Sequence, residues 1–135
     1  MASNIEVQTR FEQFKEAYSR LKEAINIKEE SDIKRDAVIK RFEFSYELLW
    51  KTYKKIARLQ KLDYFNPKAC FQFAFKSSLI EDEELFLEII DARNKTTHVY
   101  SEEEAKKIYD FIKEKVIHAF DAAEKKIREI VHRIA

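Results

Sequence analysis

Four residues in the stretch ARNKTTHVY (92–100) carry side chains suited to phosphate chemistry: Arg93, Asn94, His98 and Tyr100. Arg93 offers a planar, permanently charged fork for phosphate oxygens. His98 supplies an imidazole, the group that exchanges protons most readily near neutral pH. Asn94 adds a donor and an acceptor, and Tyr100 a phenolic hydroxyl. A proton-exchanging group beside a phosphate-binding cation suffices for RNA cleavage without a metal. There the ribose 2′-OH attacks the adjacent phosphorus, so no water has to be activated. The same residues also have a plain structural reading. Arg93 can pair with Glu88 or Asp91, His98 can cap the preceding helix, and Tyr100 can be a boundary aromatic.

The elements that must position this cluster are helices. Val7, Phe11, Phe14, Tyr18, Leu21 and Ile25 recur at steps of three and four, which predicts an amphipathic helix over roughly 4–27. KEESD (28–32) breaks it, with Ser31 or Asp32 as N-cap of a second helix over about 32–61. In that second helix Val38, Ile39, Phe42, Tyr46, Leu49, Trp50, Tyr53 and Ile56 cover more than one stripe, so it is expected at the centre. Asn66-Pro67 reads as N-cap and first residue of a short helix over about 67–77. The acidic run EDEE (81–84) suits the start of a fourth helix, with Leu85, Phe86, Ile89 and Ile90 inward and an end near 95–97. Ser101 and Glu104 have capping-box spacing, and a fifth helix follows over about 102–133. The expected architecture is all-α: one antiparallel bundle domain over 1–135, of three long helices and two shorter ones. The cluster falls at the junction between helices four and five.

Composition agrees. Among 135 residues there is no Gly and a single Pro, with 45% hydrophobic and 38% charged residues, which favours helices over tight hairpins. The 26 basic and 25 acidic residues give a net charge of +1, which argues against coating nucleic acid through bulk charge but not against a local site. Lone Cys70 excludes an intramolecular disulfide and sits among apolar neighbours as a core thiol. No apolar run is long enough to span a membrane, and a cytoplasmic location is expected. Without a Cys pair or close His pair, no metal site is expected, and EDEE reads as a solvated helix start. His118 is expected at a packing seam and His132 at a helix C-terminus. Phe42, Phe44, Trp50 and Tyr53 can stack RNA bases, but their helical spacing fits core or interface better.

ARNKTTHVY resembles the signature of the HEPN superfamily, Arg-polar-x3-His in a helical bundle. Tyr100 extends it to the Arg-x4-His-x-Tyr form of HepT-type toxins. RDAVIKRFEFSYELLWKTYK (35–54) and NPKACFQFAFKSSLI (66–80) are similar to the second helix and the Pro-initiated third helix of nucleotidyltransferase substrate-binding proteins in that superfamily. The resemblance implies a ribonuclease of a toxin–antitoxin pair, acting as a homodimer on tRNA or mRNA. Arg93 would hold the scissile phosphate, His98 transfer protons and Asn94 orient the site, in a cleft shared by two subunits. It implies an MNT-type nucleotidyltransferase as antitoxin partner, transferring AMP to Tyr100. ATP and magnesium would belong to that partner, leaving this chain without a cofactor. The family's other implied role is a non-catalytic subunit that binds nucleotide or substrate for such an enzyme. Lys95, Lys106 and Lys107 would have to assist with RNA, since no basic tract flanks the cluster.

Overall fold

The computed structural model describes residues 3–134, and among them every regular element is helical. α1 (Asn4–Ile25) and α2 (Asp32–Leu59) form a long antiparallel pair. α3 (Pro67–Lys76) packs on α2, and α4 (Glu83–Lys95) on α3. A 3₁₀ turn (Thr96–His98) leads to α5 (Glu102–Phe111), which passes through a π turn (Ile112–Val116) into α6 (Ile117–Ile134). The helix expected over 102–133 is thus continuous in path but not uniformly α. Its apolar positions Ile108, Ile112, Val116 and Phe120 keep steps of four across the π turn, so spacing alone gives no sign of it.

Local chemistry sets most boundaries. Ser31, Asn66 and Asp82 each accept the N–H three residues on, capping α2, α3 and α4. Pro67 occupies the first turn of α3, where its missing N–H costs nothing. Two helices end on left-handed residues that are not glycine: Lys61 (φ 63°) after α2 and Ser78 (φ 62°) after α3. Each closes a Schellman motif, with Leu62 N–H on the Ala57 carbonyl and Leu79 N–H on the Ala74 carbonyl. A chain devoid of Gly still makes these corners, with a Cβ in a conformation that disfavours it.

The core lies where α1, α2 and α6 meet. Phe14 stacks on Tyr18, and Phe120 from α6 approaches Phe14 at 5.8 Å, Tyr18 at 5.7 Å and Phe42 at 6.3 Å between ring centroids. Tyr18 is fully buried, and its hydroxyl donates to Asp121 while lying 2.9 Å from the Ile117 carbonyl. Burial first, and Asp121 second, push this phenol far above its ordinary pKa, so it stays a donor. Asn4 reaches the Ile134 carbonyl at 3.0 Å, so α1 and α6 run antiparallel along their length. α2 is buried on several sides, as its sequence predicts, through Val38, Phe42, Tyr46, Leu49, Tyr53 and Ile56. In α4, Phe86 and Ile89 are buried while Leu85 and Ile90 are only half-buried, because α4 covers one flank of the bundle.

Cys70 lies in the core, as expected. Burial raises its thiol pKa to about 11. Iodoacetamide at pH 8 is therefore expected to leave the native protein unmodified and to alkylate one thiol after unfolding in guanidinium, read by intact mass. Rapid alkylation of native protein would contradict the burial of α3.

Candidate functional site

The turn between α4 and α5 is held from both sides. From α2, Glu43 reaches across to α4, where its Oε2 accepts from Arg93 Nη1 at 3.2 Å. Thr96 Oγ1 accepts a second Arg93 contact at 3.0 Å and lies 2.9 Å from Glu43 Oε2 and 2.7 Å from the Arg93 carbonyl, to one of which it donates. From the other side, Ser101 accepts the Glu104 N–H at 3.1 Å and starts α5. The reciprocal half of the expected capping box is shifted by one residue. The Glu104 carboxylate takes the Tyr100 N–H at 3.4 Å instead of that of Ser101. Further along α5, the Tyr109 hydroxyl donates to Glu30, whose carboxylate is also 2.6 Å from the Lys34 ammonium, which fixes α5 against the α1–α2 corner.

Arg93 therefore does not pair with Glu88 or Asp91. Asp91 pairs with Lys95 at 3.0 Å, and Glu88 lies 3.9 Å from Lys115. Arg93 is half-buried and fixed, with a positive field that partly offsets the burial-driven rise in the pKa of Tyr46. Glu43 and Thr96 engage only Nη1 among the described residues, which leaves the rest of the guanidinium fork for another partner.

His98 belongs to the 3₁₀ turn, is exposed, and has Nδ1 3.3 Å from the Tyr100 hydroxyl. Tyr100 is 83% exposed, so its phenol oxygen is open to a second macromolecule. Asn94 and His98 share one wall of a groove of about 690 Å³ between α4 and α5, whose floor includes Ala92, Ile108 and Phe111. Lys95 and Lys107 line the same groove, but Lys107 is 3.6 Å from Glu103 and both ion pairs are exposed. The fold thus brings Asn94 and His98 to one opening, with the Tyr100 hydroxyl against His98, while Arg93 is anchored on the α2 side with no hydrogen bond to His98 among the described residues.

Glu43 and Thr96 were not singled out by the sequence. Glu43 sits next to buried Phe42, at the core boundary of α2, but nothing in linear spacing ties it to a residue fifty positions on. His118, expected at a seam, is exposed on the rim of a shallow groove between α4 and α6. His132 is exposed in the last turn of α6. No group of His, Cys, Asp and Glu among the described residues has the geometry of a metal site. Among the described residues, no helix is long and apolar enough to cross a membrane.

Residues 9–129 match the family described as Nucleotidyltransferase substrate binding protein like. No curated protein matches the sequence. A Thermus thermophilus protein of known structure is 29% identical, with 87% of this chain and 98% of that one covered at a TM-score of 0.69. The tri-AMPylated HEPN toxin of Shewanella oneidensis, solved in complex with MNT antitoxin, is 15% identical, with 91% and 96% covered at a TM-score of 0.73. A Haemophilus influenzae protein whose structure reveals the fold of a substrate binding domain of a nucleotidyltransferase is 20% identical, with 93% and 99% covered at a TM-score of 0.64. The last two share the fold. With the family match spanning most of α1, all of α2 and the whole Arg93–Tyr100 turn, the chain belongs to the nucleotidyltransferase substrate-binding protein family, with the helical bundle of HEPN proteins.

Proposed function

We propose that this protein is a metal-independent endoribonuclease of a toxin–antitoxin pair, silenced by a nucleotidyltransferase partner that modifies Tyr100. The observation that carries the reading is the turn itself. A fixed guanidinium stands on one side, and an exposed imidazole hydrogen-bonded to an exposed phenol on the other.

The chemistry follows from the groups present. Arg93 takes a non-bridging oxygen of the scissile phosphate through the part of its fork that Glu43 and Thr96 leave unengaged. The 2′-oxygen bonds to phosphorus as the bond from phosphorus to the 5′-oxygen breaks, giving a 2′,3′-cyclic phosphate and a 5′-hydroxyl. One group must take the 2′-OH proton and another must protonate the leaving oxygen. Each chain has a single histidine in the cluster, so the second role falls to His98 of another copy in a homodimer. Leu87, Ile90 and Asn94 follow one another at helical spacing on α4, and Leu87 and Ile90 adjoin exposed Phe75. That partly apolar strip runs toward His98 and suits the second copy. Asn94 orients the bound RNA from the groove wall.

The deciding experiment is incubation of purified, unmodified protein with mixed tRNA and mRNA in EDTA, with end-group analysis. Cleavage leaving 2′,3′-cyclic phosphate ends is expected, and intact RNA would sink the reading. A second reading, a non-catalytic subunit that holds nucleotide or substrate for its partner, is favoured by the volume and apolar floor of the α4–α5 groove, which lie in the range of small-molecule sites.

In the modification step the Tyr100 oxygen attacks the α-phosphorus of ATP, pyrophosphate leaves, and the phenolic proton passes to a base or solvent. The product carries a bulky anion beside His98. Tyr100→Phe is expected to cleave RNA at near wild-type rate and to gain no AMP by intact mass when incubated with the partner enzyme, ATP and magnesium. Continued AMP transfer to this variant would exclude Tyr100 as sole acceptor.

A further inference from the structure

Residues 40–44 of α2 read KRFEF, a mixture of cations, aromatics and an acid. The fold sorts them. Phe42 is fully buried in the aromatic core. Glu43 turns to α4 and commits its Oε2 to Arg93 and Thr96. Phe44 is left 45% exposed, a large aromatic ring in solvent one residue from the anchor of the phosphate-binding arginine. Lys40 Nζ lies 5.5 Å and the Arg41 guanidinium carbon 5.8 Å from its ring centroid. Lys40 Nζ is also 3.8 Å from Glu43 Oε1, so Lys40 and Arg93 share one carboxylate from opposite oxygens.

The acid that would repel RNA in this segment is thus already occupied, and what faces solvent is an aromatic ring with two cations beside it. Exposed aromatic rings bind single-stranded nucleic acid by stacking on bases, while neighbouring cations track the backbone. We infer that Phe44, with Lys40 and Arg41, forms a base-stacking subsite for the single-stranded RNA nucleotide next to the phosphate held by Arg93. This rests on the ribonuclease reading above and adds a determinant of where the RNA lies. A strand leaving Arg93 along α2 meets Lys40 next, with the Phe44 ring beside it. Either cation can leave the ring for a phosphate oxygen, since cation–π contacts at exposed sites are weak.

The test compares wild type, Phe44→Ala and Phe44→Trp. Binding of a single-stranded 2′-O-methyl RNA, which cannot be cleaved, is measured by fluorescence anisotropy, and cleavage of its 2′-hydroxyl counterpart in parallel. Phe44→Ala should bind on the order of 10-fold more weakly, while Phe44→Trp binds about as wild type does. The indole introduced at position 44 should be quenched by the oligonucleotide, against a wild-type control carrying only buried Trp50. Equal binding by Phe44→Ala and wild type, with cleavage intact, overturns the subsite and leaves the ribonuclease reading standing. Loss of self-association in Phe44→Ala, seen by sedimentation, also overturns it by assigning the ring to a second copy. Phe44-dependent binding without any cleavage supports the subsite and removes the nuclease. A wild type that neither binds nor cleaves RNA overturns both.

Discussion

RNA cleavage by His98→Ala is expected to fall by roughly 10²–10⁴-fold, the range a positioned proton-transfer group supplies. The side chain is exposed and makes its one hydrogen bond to Tyr100, so its removal leaves no buried partner unsatisfied. Helical content, melting temperature and self-association should match wild type. That separation is what gives the experiment its force. Single-turnover cleavage in EDTA, with binding to uncleavable RNA measured alongside, locates the loss in the chemical step. Unchanged cleavage would remove His98 from the reaction, and loss of the fold would return it to a structural role. In a homodimer the variant loses both copies of the imidazole at once, and with them both the base and the acid. The effect should therefore lie toward the upper end of the range.

Phe120→Ala is expected to destabilise the protein by about 3–5 kcal/mol. The ring is fully buried and touches Phe14, Tyr18 and Phe42, so its loss opens a cavity at the only place where α1, α2 and α6 share an aromatic cluster among the described residues. None of the three neighbours can refill the space without leaving its own rotamer, because each is itself fully buried. At this chain length, the melting temperature should drop by roughly 10–20 °C. His118→Ala, two residues earlier but exposed, serves as the matched control and should stay within about 0.5 kcal/mol of wild type. A small effect of Phe120→Ala would mean that α6 does not dock as described.

Much of the fold was legible in the sequence because helices write themselves in steps of three and four. The Val7-to-Leu21 stripe, the Asn66-Pro67 start and the crowded circumference of α2 all appear in the fold where the spacing puts them. The same reading located the turn that puts Asn94 and His98 on one groove, with the Tyr100 hydroxyl against His98. What it missed depends on distance in space. The Glu43–Arg93–Thr96 contacts join α2 to α4 across fifty residues, and a local search offered Glu88 and Asp91 instead. Phe44 resembled Phe42 in residue type alone; two positions apart on a helix, they are turned by about 200° from each other, and the packed structure tells which one faces in. The π turn escaped since its flanking apolar residues keep the ordinary rhythm.

The two left-handed corners at Lys61 and Ser78 flank α3. A side-chain-bearing residue in that conformation carries roughly 1–2 kcal/mol that glycine would not. Lys61 closes the end of α2 and Ser78 the end of α3 through bonds local to each helix, so both penalties are released only when those ends fray. The C-terminal turns of α2 and α3 should therefore open early, and the Leu62 and Leu79 amide hydrogens should exchange before those of the helix interiors. In living terms, the same property gives a proteolytic quality-control system an early place to grip, before the core that carries Phe120 has opened.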